Sequence, residues 1–161
     1  MFINLQTIST SISTRFPDIV FANLFGSAKE GEVKEGSDVD IAIYYTGTDS
    51  FVRFGVMEEL EKVLPGLIFD IIELQKADPI LAFEALSGSQ LFVRPEAIHT
   101  YVEFYNLTCR LYRDRIYWMK KQLEYRGYEV QWNDDYEDMN RFEEKNIVSL
   151  WRTLTKGDGS K

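Results

Sequence analysis

Apolar residues recur every three to four positions in several stretches of the chain, and this is the period of an amphipathic helix. Between these stretches, mostly apolar runs of strand length are typical of buried β-strands. Asp78-Pro79 is an N-cap followed by proline at the first helical position. The pattern predicts an α/β fold with helices over residues 4–15, 51–64, 79–88 and 95–126, and strands over residues 19–25, 39–45, 67–74 and 90–93.

The last predicted helix is much longer than the others, and it divides the chain into three parts. We expect a core over residues 1–94 and a long helix packed on that core over residues 95–127, ended by Gly127. An acidic, aromatic and partly flexible extension would follow over residues 128–161. The long helix carries more aromatic residues than one buried face can hold, so we expect about half in the core and the rest in a protein interface.

Composition narrows the function classes. The net charge of −8 disfavours direct binding of nucleic acid, because affinity for phosphate backbones comes largely from lysine and arginine. No segment approaches the roughly 20 uninterrupted apolar residues of a membrane span, and the N-terminus lacks a signal-peptide pattern. We therefore expect a cytoplasmic protein without a membrane partner. The single cysteine, Cys109, excludes an internal disulfide.

Three aspartates are candidate metal ligands. Asp38 and Asp40 lie two residues apart at the start of a predicted strand, so their side chains project to the same side. Asp70 opens the next strand after a helical crossover and can reach the same point, whereas Glu73, an alternative third acid, should point to the opposite face. Three carboxylates around two Mg²⁺ ions are used in phosphoryl and nucleotidyl transfer.

A glycine-serine pair precedes these aspartates. Gly26 and Ser27 end the first predicted strand, where a glycine lets the backbone approach a phosphate and a serine hydroxyl can bind it. The polar loop that follows contributes Lys29 and Ser37 as further candidate nucleotide-binding residues. The same loop carries three glutamates.

The chain carries Gly-Ser, then ten residues, Asp-x-Asp and a later Asp in Phe-Asp-Ile-Ile-Glu-Leu. These motifs resemble those of the DNA polymerase β-like nucleotidyltransferases. Over about residues 4–110 the chain looks more narrowly like the minimal nucleotidyltransferase antitoxins of the MntA type. The resemblance implies a mixed four-stranded sheet with flanking helices. It also implies transfer of AMP from ATP to a tyrosine of a HEPN-domain RNase toxin, which would be the protein partner.

The same resemblance assigns roles. The positions matching Asp38 and Asp40 bind both metal ions, and the position matching Asp70 binds the catalytic metal and helps to deprotonate the attacking hydroxyl. Those matching Gly26 and Ser27 hold the nucleotide phosphates. Family members often carry a basic residue immediately before the position of Gly31, where this chain has Glu30.

Two other functions fit parts of the sequence. One is a non-catalytic antitoxin that neutralises its toxin by covering it with residues 96–161, and the other is a small-molecule nucleotidyltransferase of the aminoglycoside-modifying type. Arg94, His99 and Tyr101 also have the spacing of the active-site motif of the HEPN toxins. Because Pro95 interrupts the helix that this motif occupies, we interpret the match as coincidence and His99 as a surface residue.

Overall fold

A mixed four-stranded sheet forms the centre of the computed structural model, which describes residues 1–129. The strands lie in the order β3-β2-β1-β4; β1 is antiparallel to β2 and β4, and β2 is parallel to β3. The predicted α/β fold is therefore confirmed, with β3 and β4 at the two edges of the sheet. The elements are α1 (Leu5–Arg15), β1 (Ile19–Phe25), β2 (Val39–Tyr45), α2 (Val52–Val63), β3 (Phe69–Glu73), α3 (Pro79–Leu86), β4 (Ser89–Val93) and α4 (Ile98–Tyr125).

The first face of the sheet packs on α1 and α2. Alternate residues of β1 and β2 point to this side, and they meet the apolar stripes of the two helices. The largest side chains there are completely removed from solvent; they include Ile8, Ile12, Leu24, Ile41, Ile43, Val56 and Leu60. This cluster holds the strands that carry the candidate aspartates.

The second face is aromatic. Phe21 of β1 stacks on Tyr44 of β2 at 4.6 Å between ring centroids, and the ring of Tyr101 meets it edge-on at 5.0 Å. Burial raises the pKa of Tyr101 to about 12. The beginning of α4 thus contributes to the core, as the sequence predicts.

The chain divides into two units, Met1–Tyr112 and Arg113–Lys161, with α4 running across the boundary. In the described part of the second unit, large apolar side chains face solvent, with exposed fractions of 48% for Tyr117, 63% for Trp118 and 93% for Tyr125. The expected split of the aromatic residues of α4 between core and surface is confirmed, and an interface there stays a prediction. The extension expected over 128–161 lies outside the described residues from position 130 onward. Within residues 1–129, no helix has the length and apolar character needed to cross a membrane.

Two helix boundaries differ from the predicted ones. Helix α2 begins at Val52, one residue later than expected, because Phe51 is its N-cap, and the Phe51 backbone N–H donates to the Asp49 side chain at 2.8 Å. Helix α3 ends at Leu86, and Gly88 lies beyond it against β1. A Cβ at Gly88 would come within 2.2 Å of the Leu24 carbonyl oxygen, so this glycine allows a close approach to β1. Its backbone N–H donates to the Ala85 carbonyl in the last turn of α3 at 3.2 Å.

Arg94 ties the end of β4 to the turn between α1 and β1. Its guanidinium donates to the backbone oxygens of Ile19 at 2.8 Å, Ser13 at 2.7 Å and Phe16 at 3.2 Å. His99 is 85% exposed and lies 3.5 Å from Glu103. Arg94 is thus used structurally and Tyr101 is buried, which supports the interpretation that their motif-like spacing is coincidental.

We expect Arg94→Ala to lower the free energy of unfolding by about 2 kcal/mol, because it leaves partly buried carbonyl oxygens without a charged donor. Urea unfolding of the full chain measures this loss. The matched control is Arg53→Ala, which removes an arginine whose guanidinium lies 4.9 Å from the centre of the Phe54 ring, and it should change stability by less than about 0.5 kcal/mol. Equal losses in the two variants would contradict the structural role of Arg94.

Candidate active site

Strand pairing brings two of the candidate aspartates side by side. Asp40 of β2 is the register partner of Asp70 of β3, and partners in a parallel pair point to the same face. Asp38 lies directly before β2, two residues from Asp40, and its side chain is exposed. The structure thus sets Asp40 and Asp70 side by side on the second face, with Asp38 directly before β2.

Electrostatics show that these groups interact. The pKa of Asp40 is raised, first by burial and then by the negative charges of Asp70, Asp38 and Glu84. Glu84 is a residue that sequence reasoning missed. It is exposed on α3, far along the chain from the Asp-x-Asp motif, and only the packing of α3 beside the sheet brings it near.

Gly26 forms the other side of the site. Phe25, the last residue of β1, is the register partner of Asp40, so the strand ends beside this carboxylate. Gly26 has φ +68°, and a Cβ built on it would lie 2.2 Å from Asp40 Oδ2. Only glycine combines this backbone conformation with room for the Asp40 carboxylate.

The remaining candidate residues lie around the loop between β1 and β2. Ser27 follows Gly26 within a short 3₁₀ turn, Gly26–Ala28, and its side chain is exposed. Lys29 is also exposed, and its carbonyl oxygen accepts a bond from the Ser89 hydroxyl at 2.5 Å. Ser37 is half-buried directly before Asp38. The structure therefore places Gly26 and Ser27 on the β1 side of Asp40, and Lys29 and Ser37 near the two ends of the loop.

Glu73, the alternative third acid, is engaged elsewhere. Its side chain is 9% exposed and pairs with Lys76. Asp70 is exposed and unlike Glu73 is the register partner of Asp40. Of the two acids of β3, Asp70 is the one that lies beside Asp40, and its role as the third acid stays a prediction.

The carboxylates fit Mg²⁺ chemically, because this ion prefers oxygen ligands and compensates close negative charges. The predicted three-ligand arrangement is not closed, however: within residues 1–129, no three Asp, Glu, His or Cys side chains are grouped so that they could hold an ion. Repulsion between like charges disfavours a closed arrangement, and the exposed side chains of Asp38 and Asp70 can turn. The carboxylate oxygens are therefore ligands of the type that Mg²⁺ prefers, whereas the three side chains are not arranged to hold an ion together.

We expect Asp40→Asn to stabilise the metal-free protein near neutral pH. The raised pKa of Asp40 means that the folded state binds this proton more tightly than the unfolded chain, so stability falls as pH rises from the ordinary value of 3.8 through the raised value. The asparagine variant lacks this loss. The gain should stay below about 1 kcal/mol, because solvent screens a partly exposed group, and should vanish below about pH 3. Thermal unfolding with a chelator, at both pH values, measures it.

Added Mg²⁺ should make the natural protein more stable than Asp40→Asn. At a hundredfold excess over its dissociation constant, the ion would stabilise the natural protein by about 2.7 kcal/mol, and it should stabilise Asp40→Asn much less. Glu35→Gln, which neutralises an exposed acid in the neighbouring loop, is the control and should keep the response. If Mg²⁺ stabilised all three proteins equally, Asp40 would not be a ligand.

Comparison with known proteins identifies a family model. Residues 6–97, more than half of the chain, match the family described as "Polymerase beta, Nucleotidyltransferase". This range contains all the candidate residues described above. No curated protein is significantly similar to the sequence.

Solved structures with the same fold come from toxin–antitoxin complexes. A chain from a MntA-HpeT complex carrying two aspartate-to-glutamate substitutions has a TM-score of 0.64 and 20% identity, and the match covers 78% of this chain and 100% of that chain. A toxin–antitoxin complex with AMP-PNP gives 0.63 and 21% over the same shares. A tri-AMPylated Shewanella oneidensis HEPN toxin in complex with MNT antitoxin gives 0.56 and 19%, again covering 78% and 100%.

Proposed function

Since this chain belongs to the polymerase β nucleotidyltransferase family, we propose that it is an antitoxin that transfers AMP from ATP to a tyrosine hydroxyl of a HEPN-domain RNase toxin. The similar solved structures support this proposal, because they are toxin–antitoxin complexes and one contains an AMPylated HEPN toxin. At about 20% identity these structures show that the fold is shared, so the proposed substrate and partner are argued from the site.

The pairing of Asp40 with Asp70, beside Gly26, is the observation that carries the proposal. It sets a carboxylate pair beside the short 3₁₀ turn Gly26–Ala28, whose backbone N–H groups and Ser27 hydroxyl would bind a phosphate. Nucleotidyl transfer needs both features, since one holds the reacting phosphate and the other activates the attacking oxygen. A solvated pair of acids at a strand end would not require the glycine at position 26.

The reaction joins the tyrosine oxygen to the α-phosphorus of ATP and breaks the bond from that phosphorus to the pyrophosphate oxygen. Gly26 and Ser27 would bind the phosphates through backbone N–H groups and the Ser27 hydroxyl. Asp70 would take the proton of the tyrosine hydroxyl as it attacks. Asp38 and Asp40 would hold two Mg²⁺ ions and Asp70 one of them; bound there, the ions would neutralise charge on the phosphates and the leaving group.

Neutralisation by covering the toxin is the second candidate. The exposed aromatic residues Tyr117, Trp118 and Tyr125 favour it, because aromatic side chains are enriched at the anchors of protein interfaces. Covering and transfer are compatible, since a transferase must also bind its acceptor.

An experiment with a purified HEPN-domain RNase toxin separates the two candidates. Purified chain, Mg²⁺ and ATP are mixed with the HEPN protein, and its RNase activity is followed with the natural chain and with Asp38→Asn. Transfer predicts that RNase activity stays suppressed after the two proteins are separated, and that Asp38→Asn does not suppress it lastingly. If the variant suppresses as well as the natural chain, and only while bound, covering is the mechanism.

A further inference from the structure

The strand order gives the site two distinct sides. Gly26 and Ser27 lie on the β1 side of Asp40, and Asp70 lies on the β3 side. In an in-line transfer, the attacking oxygen approaches opposite the leaving pyrophosphate. If the phosphates bind at Gly26 and Ser27, the acceptor must therefore approach from the β3 side.

A cleft opens on that side. Ser37 and Ile68, which line it, lie immediately before Asp38 and two residues before Asp70. Its other lining residues include the charged Lys34 and Glu35 as well as the apolar Met1, Val33 and Leu67. The cleft is therefore continuous along the chain with the carboxylates at the strand starts.

The walls of this cleft are fixed by backbone hydrogen bonds. The Val33 N–H donates to the Met1 carbonyl at 2.8 Å, and the Met1 ammonium donates to the Val33 carbonyl at 2.9 Å. On the opposite wall, the Ile68 carbonyl accepts a bond from the Val39 N–H at 2.8 Å. Backbone hydrogen bonds therefore hold in place the chain segments that line the cleft.

Ile68 is the residue of the cleft that is best placed to meet an acceptor. The parallel register of β2 and β3, extended by one step, sets Ile68 beside Asp38 and on the same face as Asp70. Its side chain is 61% exposed, and that of Met1 is 69% exposed. An exposed branched apolar side chain next to carboxylates favours an acceptor that combines an apolar body with a hydroxyl.

We infer that Ile68 and the cleft around it determine acceptor specificity by receiving the aromatic ring of the acceptor tyrosine, an inference that rests on the proposed function. A phenol ring packs on Ile68, which shares the face of Asp70, and points its hydroxyl toward the Asp70 carboxylate. The apolar contact at Ile68 therefore favours a tyrosyl side chain over an acceptor that has no apolar ring.

Kinetics with N-acetyl-tyrosinamide as the acceptor test this role. Ile68→Asn should raise the acceptor KM about tenfold and leave kcat within about twofold, since a hydrophobic contact of this size discriminates about 10- to 200-fold. Ile68→Leu, which keeps an apolar side chain at this position, should have the KM of the natural protein. Val63→Asn, a similar change at a partly exposed residue of α2, is the control and should leave both constants unchanged. An unchanged KM in Ile68→Asn would overturn the inference.

A binding measurement that needs no catalysis makes the two proposals separable. The full chain carries ¹³C-methyl isoleucine, and the probe is N-acetyl-phenylalaninamide, which has the ring without the hydroxyl. Ring current should shift the Ile68 methyl signal, assigned by its loss in Ile68→Leu, whereas the Ile80 signal should stay in place. N-acetyl-leucinamide, which has no ring, is the control.

Four results decide between the proposals. A shift of the Ile68 methyl together with AMP transfer supports both proposals. A shift without transfer to any tyrosyl acceptor supports ring binding and overturns the proposed function. Transfer without a shift at Ile68 overturns the inference and leaves the proposed function standing. Absence of both overturns both.

Discussion

Replacing Asp70 with asparagine should slow AMP transfer about a thousandfold, equivalent to about 4 kcal/mol of transition-state stabilisation. Asparagine keeps the size of the side chain but removes the negative charge and the ability to accept the tyrosine proton. Asp70 is exposed, so the fold should be unaffected. Single-turnover transfer with saturating ATP measures the loss directly, and thermal unfolding checks the fold.

Glu73→Gln is the matched control for Asp70→Asn, because it neutralises the other acid of the same strand. Glu73 is nearly buried and pairs with Lys76, so its loss should lower stability by about 1 kcal/mol. Transfer should fall by less than about threefold, since ion-pair changes away from the reacting atoms leave the chemistry intact. The reverse result, with transfer lost in Glu73→Gln and kept in Asp70→Asn, would mean that the third acid has been misassigned.

Gly26→Ala should reduce transfer about a hundredfold, through a displaced Asp40 carboxylate. The new Cβ would need the place now taken by Asp40 Oδ2, 2.2 Å away. A displacement of about 1 Å at a reacting group can cost about a hundredfold in rate. Initial rates at saturating ATP and acceptor measure the effect.

Gly127→Ala separates the steric effect from backbone strain. Gly127 has φ +85°, in the same left-handed region as the +68° of Gly26, but nothing lies within 4 Å of its hypothetical Cβ. Both variants should therefore lose about 1 kcal/mol of stability from the left-handed backbone, whereas Gly26→Ala alone should lose most of its activity. Comparable rates in the two variants would show that contact between residue 26 and Asp40 does not matter.

The sequence predicts the strands of this fold because their apolar runs are bounded by turns and capping residues. Asp38 and Asp40 could be grouped from their spacing alone, and the length of the crossover through α2 was sufficient to predict that Asp70 would join them. Parallel pairing in the register Asp40 with Asp70 is the outcome of that prediction.

Other features depend on tertiary packing that leaves no local pattern. Glu84 reaches the carboxylates only because α3 packs beside β1, and Gly88 is required by its contact with the Leu24 carbonyl. The backbone bonds of Arg94 join positions more than 70 residues apart. The open geometry of the carboxylates was also beyond sequence reasoning, since it depends on how exposed side chains orient.

Label transfer from ATP tests the central claim most directly. The full chain is incubated with Mg²⁺, a purified HEPN-domain RNase toxin and ATP labelled at either the α- or the γ-phosphorus, and the HEPN protein is then isolated under denaturing conditions. Nucleotidyl transfer predicts that the α-label stays on a tyrosine of the HEPN protein and that the γ-label is released as pyrophosphate. A γ-label on the protein, or no label from either ATP, would contradict the proposed reaction.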